Sequence, residues 1–120
     1  MRLLAEAFVA LVALLHLYFL VLEMFLWDKP LGLKTFRHSA DEAAASKVLA
    51  ANQGLYNGFL AAGLAWGLMQ GAAGAGQPWL VFFLGCVIVA GLFGAATASR
   101  KILFVQALPG ALALAAVLLS

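Results

Sequence analysis

Four apolar runs fill most of the chain: Leu3 to Trp27, Val48 to Met69, Pro78 to Thr97 and Ile102 to Leu119. Crossing the hydrocarbon core of a bilayer takes about 20 helical residues, and lipid supplies no partner for backbone N–H and C=O groups, so runs of this length are read as helices. The composition agrees: 66% of residues are hydrophobic and 10% charged, where a soluble domain carries about 25% charged residues. The connectors are too short to hold a second domain. Residues 1–120 are therefore expected to form one all-α domain, a four-helix transmembrane bundle with up-down topology.

The first run does not read as a secretory signal. Its apolar region is too long, Glu6 stands where a signal would be basic, and Glu23-Met24-Phe25-Leu26-Trp27 offers no small-residue cleavage site. The fourth run is the shortest and is interrupted by Pro109-Gly110. A kink there is tolerable where neighbouring helices satisfy the freed carbonyls.

Of the seven Lys and Arg residues, Lys29, Lys34, Arg37 and Lys47 lie after the first run and Arg100 and Lys101 after the third, with Arg2 alone on the opposite side. By the positive-inside rule both basic connectors are expected to be cytoplasmic and both termini outside. This arrangement accounts for the net charge of +2, so nucleic acid is not an expected partner. Cys86 is the only cysteine and reads as a small packing residue.

In the first connector, Asp28-Lys29-Pro30-Leu31-Gly32 reads as a turn, and Ser39-Ala40-Asp41-Glu42 as a capping box. In that motif the Ser hydroxyl accepts from the backbone amide three residues on, and the Glu reaches back. The second helix is thus expected to begin near Ser39 and to extend into the cytoplasm before entering the bilayer. Small residues recur every four positions at Gly54, Gly58 and Ala62, at Cys86, Ala90, Gly94 and Ala98, and at Ala107, Ala111 and Ala115. Such stripes let helix backbones approach closely in lipid, and packing within one bundle is the favoured reading over dimerisation. Trp27 and Trp79, at span ends, read as interfacial anchors, and Tyr18 as an ordinary aromatic of the first span.

Ionisable groups within a span cost about 2.5–3.5 kcal/mol at a helix centre on insertion scales, so they normally face a protein interior or a water-filled cavity. His16 and Glu23 are seven apart, about 20° short of two full turns, and share a face of the first helix roughly 10 Å apart along its axis. Asn52, Gln53, Tyr56 and Asn57 occupy an arc of about 140° on the second helix, with Gly54 and Gly58 placed on the other side. Glu23, Asn52, Gln53 and Gln106 fall at one depth, roughly 6–8 Å below the cytoplasmic surface, with Arg100 and Lys101 near enough to add positive charge. Glu23, His16, Asn52, Gln53, Tyr56, Asn57 and Gln106 are the expected ligand-binding residues of a polar pocket open to the cytoplasmic leaflet. The alternative is that the amides only join helices by hydrogen bonds. No metal-ligand spacing, phosphate loop or nucleophile motif occurs, so neither a cofactor nor a catalytic residue is assigned.

The segments His16-Leu-Tyr-Phe-Leu-Val-Leu-Glu23-Met-Phe-Leu-Trp27 and Asn52-Gln-Gly-Leu-Tyr-Asn-Gly-Phe-Leu-Ala-Ala-Gly-Leu64 resemble the hallmarks of a family of small bacterial membrane proteins, domain of unknown function 1304. The resemblance covers essentially the whole chain and implies a four-helix protein of the bacterial inner membrane without assigning a reaction. A fainter similarity is to the four-helix membrane enzymes of eicosanoid and glutathione metabolism. There an Asn on the second helix is followed three and four positions later by Glu and Tyr. Asn52 and Tyr56 match, but Leu55 stands where the Glu would be and Val48 where an Arg would precede, which removes the groups that would hold a charged tripeptide. The leading expectation is a membrane protein associated with small-molecule binding or transport, with homo-oligomerisation a way to enlarge so small a bundle. A membrane enzyme and a structural or accessory subunit are the alternatives.

Overall fold

The computed structural model describes residues 1–120 and contains five α-helices and no strand: α1 (Arg2–Met24), α2 (Pro30–Phe36), α3 (Ala40–Gln70), α4 (Gln77–Thr97) and α5 (Leu108–Leu119). π-helical turns at Gly71–Ala75 and Leu103–Ala107 precede α4 and α5. Two of the helices, α1 and α4, are long and apolar enough to cross a membrane. The apolar stretch Leu103–Leu119 is shorter. At 31 residues α3 is the longest helix and rises ~46 Å.

The expected turn at Asp28–Gly32 is formed only at Asp28 and Lys29, and from Pro30 the chain enters α2, a seven-residue helix with Pro30 in its first turn. Proline suits that place because its φ is preset and its missing N–H would be unpaired there anyway. Gly32 is required by a close approach, since a Cβ would collide with the carbonyl oxygen of Leu26. The helix closes with Arg37 in the left-handed region at φ 54°, while the His38 amide donates to the Leu33 carbonyl at 3.2 Å. The capping box is formed as its spacing predicts: the Glu42 amide donates to Ser39 Oγ at 3.1 Å and the Ser39 amide to Glu42 Oε1 at 2.8 Å. From there α3 runs unbroken to Gln70.

The chain divides into two compact units, Met1–Leu14 with Leu60–Ser120, and Leu15–Phe59. The first holds the main apolar core, including Val9, Val12, Leu64, Leu80, Leu84, Val87 and Val117, all at most 1% exposed. Within it, Gln77 Nε2 donates to the Val117 carbonyl at 3.1 Å, tying the start of α4 to the end of α5. The turn between α3 and α4 depends on glycine, with Gly71 at φ 103° and Gly76 so close to the Gly67 carbonyl that no Cβ fits. Gly91 lies against the backbone of Ala107, its Cβ position 2.6 Å from that nitrogen.

The small-residue stripes are followed only in part. Gly54 and Ala107 are buried, whereas Ala62, Ala90, Ala98, Ala111 and Ala115 are exposed. Each four-residue step advances about 40° beyond a full turn, so a long stripe drifts off the seam that it begins on. The buried small positions Gly91, Gly110, Ala113 and Ala116 mark the seam the helices use.

Candidate functional site

The unit Leu15–Phe59 gathers most of the polar residues singled out in the sequence. Its centre is a contact between helices: Asn57 Nδ2 of α3 donates to Glu23 Oε1 of α1. Asn57 is 6% exposed, and Glu23 is partly buried. The seam is made by Gly54, Asn57 and Gly58, spaced i, i+3 and i+4 and therefore on one face of α3. A Cβ on Gly54 would meet Met24 Cγ at 2.7 Å and Glu23 Cβ at 3.1 Å, and one on Gly58 would meet Leu20 Cδ1 at 2.7 Å. Two glycines thus bring α3 close enough for the short Asn57 side chain to reach the carboxylate.

This geometry revises the division of α3 into a polar and a smooth side. Asn57 shares the glycine face, while Asn52, Gln53 and Tyr56 are exposed, Tyr56 to 53% with its ring edge-on to Phe59 at 5.8 Å. Gln106 belongs to the other compact unit, in the π turn before α5. His16 is completely buried, with its ring edge-on to Phe19 at 5.2 Å. No buried side-chain nitrogen or oxygen in the chain lacks a hydrogen-bond partner, so His16 is a satisfied interior group. Glu23 and Asn57 are brought together; Asn52, Gln53 and Tyr56 are not directed at them.

Asn57 engages Oε1 of Glu23. With its amide nitrogen donating, Asn57 fixes one oxygen of the Glu23 carboxyl group as an acceptor. No group of three His, Cys, Asp or Glu side chains is placed to hold a metal ion.

A second cluster in the same unit escaped the sequence reading. Trp27, following α1, packs on Phe36 and His38 with ring centroids 4.6 and 4.4 Å away. Trp27 Nε1 donates to Ser46 Oγ at 3.1 Å, and Ser46 Oγ donates to the Glu42 carbonyl at 2.8 Å. His38 Nε2 lies 3.1 Å from the Trp27 carbonyl, which can only accept, so that nitrogen carries the proton. Lys47 Nζ contacts Asp28 Oδ2 at 3.0 Å, and this hydrogen bond lowers the Asp28 pKa. The Glu42 carboxyl is also held low, mainly by the Ser39 backbone amide that it accepts from. The cluster joins α2 to the first turns of α3 and fixes the chain leaving α1. Its available signal was a Trp at a span end followed eleven residues later by His, too common a pattern to single out.

A protein-family model, Protein of unknown function (DUF1304), matches residues 10–118. No curated protein and no solved structure matches the chain.

Proposed function

The chain belongs to the DUF1304 family, and we propose that it is a multi-pass protein of the bacterial inner membrane that binds a small molecule at Glu23, in association with transport. In this reading α1, α3, α4 and α5 are the four spans, the basic connectors are cytoplasmic and both termini are outside. α1 and α4 meet the length and hydropathy that a span needs; the Lys and Arg distribution supports the orientation.

The observation that carries the binding reading is the Asn57–Glu23 hydrogen bond. A neutral amide pair would join two helices at less desolvation cost than a carboxylate. A carboxyl group held through one oxygen by a buried amide is suited to meet, with its other oxygen, a ligand offering a hydrogen-bond donor or a positive charge. In this proposal Asn52, Gln53 and Tyr56 stand on the exposed face of α3, while His16, a satisfied interior group, and Gln106, in the other unit, are given no role. The structural reading is favoured by one specific contact, the close fit of Gly54 against Glu23 Cβ, through which the pair also serves as a helix joint.

Native mass spectrometry of the protein extracted in mild detergent, with identification of co-purifying molecules, tests the proposal. Glu23→Gln keeps an acceptor for Asn57 and removes the ionisable group. The proposal predicts a retained small molecule that is lost in Glu23→Gln at an unchanged thermal midpoint. Equal retention by both proteins, or no retained molecule with a lowered midpoint in the variant, would leave the pair a helix joint.

A further inference from the structure

A groove of about 310 Å³ lies in the unit Met1–Leu14 with Leu60–Ser120, between α4 and the π turn leading into α5. Ile88 and Leu92 line one wall and Leu103, Phe104, Ala107 and Ala111 the other, and the lining is wholly apolar. The π turn at Leu103–Ala107 interrupts the regular stacking of side chains beside α4. From Leu103 to Ala111 the wall extends on the order of 12 Å, a large part of one ~15 Å hydrocarbon leaflet.

The turn at one end of this groove carries Arg100 and Lys101, both exposed. The five carboxylates of the chain are Glu6, Glu23, Asp28, Asp41 and Glu42, so no acid follows Glu42 in the sequence. Within this unit the only side-chain carboxylate is Glu6, which pairs with Arg2 at 3.7 Å. Two exposed cations without a carboxylate partner of their own thus lie in the segment directly before Leu103, the first residue lining an apolar groove of leaflet depth. An anionic amphiphile matches both parts.

We propose that this groove is a binding site for an anionic phospholipid, with an acyl chain along Ile88, Leu92, Phe104 and Ala111 and the headgroup phosphate on Arg100 and Lys101. The proposal rests on the membrane reading above and is independent of the Glu23 site. Arg100 supplies a planar fork suited to phosphate and Lys101 a point charge. The exposed position of Ala111 leaves the groove open along its side, so the chain enters laterally from the bilayer.

The full chain, purified in detergent and equilibrated with phosphatidylglycerol or phosphatidylcholine of identical acyl chains, is examined by native mass spectrometry. Two surface cations favour retention of phosphatidylglycerol by on the order of tenfold. Arg100→Gln with Lys101→Gln brings the two lipids to parity, and Ala111→Phe, filling the groove, removes retention of both at an unchanged thermal midpoint. Should Ala111→Phe fail to fold, Leu92→Phe fills the groove from the opposite wall. Equal retention of the two lipids by the unaltered protein, retention unaffected by groove filling, or full displacement by equimolar inorganic phosphate would overturn the proposal. Alkaline carbonate extraction of membranes is run alongside: a chain that resists extraction yet shows no lipid preference loses this inference alone, whereas an extractable chain loses the membrane reading.

Discussion

Asn57 is the residue on which the candidate site turns. Its amide is the buried partner of Glu23, and removing one side of a buried hydrogen bond costs about 1–3 kcal/mol because the other group loses water without compensation. Asn57→Ala is therefore expected to lower stability by about that amount, whereas Glu23→Gln, which preserves an acceptor, is expected to change it little. Thermal unfolding in detergent would compare the two. Both residues were legible in the sequence as polar groups within apolar runs. Their pairing was not, because counting positions from the span ends gives depth, and depth matched Glu23 with Asn52, Gln53 and Gln106 rather than with Asn57. Which side of α3 turned towards α1 was decided by Gly54 and Gly58, whose lack of side chains lets the helices approach. The seam then accepts the polar residue at i+3 from Gly54, and Asn52, Gln53 and Tyr56 fall outside it.

Among the elements, α3 shows most directly how local chemistry sets structure. The Ser39–Glu42 capping box was readable from four residues because its hydrogen bonds are local, and no proline interrupts the helix from there to Gln70. Ser39→Ala is expected to cost about 1 kcal/mol, as loss of an N-cap hydroxyl generally does. The pH dependence has a definite sign. The folded Glu42 pKa is lowered, so its stabilisation is present above the unfolded carboxylate pKa and is lost as pH falls through the lower, folded value. Asp28, held low by Lys47, behaves in the same direction. Hydrogen exchange at the first turn of α3 should accelerate on acidification into that range, and the pH-dependent part contributed by the box should vanish in Glu42→Gln.

The helix α2 illustrates the opposite case. Pro30 and Gly32 are turn formers by composition, yet Pro30 serves in the first turn of a helix and Gly32 passes against the carbonyls of Leu26 and Trp27, uses that composition alone does not distinguish from a turn. The α1–α3 seam supplies a third expectation. Gly54→Leu should lower the thermal midpoint more than Leu55→Ala, since a side chain at 54 meets Met24 and Glu23 while Leu55 is exposed. Equal midpoints would show that the glycine face does not pack.

For the whole molecule, the central claim is that four helices carry this chain across a membrane with both basic connectors on one side. The all-helical architecture was legible because 66% hydrophobic composition and runs of spanning length leave few other folds. The π turns were not, since they arise where α5 and α4 meet their neighbours and leave no periodic trace. The partition of Lys and Arg gives the claim its directional content: six of seven basic residues lie in two connectors. The direct measurement is a set of reporter fusions at Arg37, Gly74, Ser99 and Ser120, using an enzyme active only in the cytoplasm and one active only outside it. Cytoplasmic activity at Arg37 and Ser99 with external activity at Gly74 and Ser120 is the predicted result. Cytoplasmic activity at Ser120 with the other three unchanged would remove α5 as a span and contradict the four-helix account.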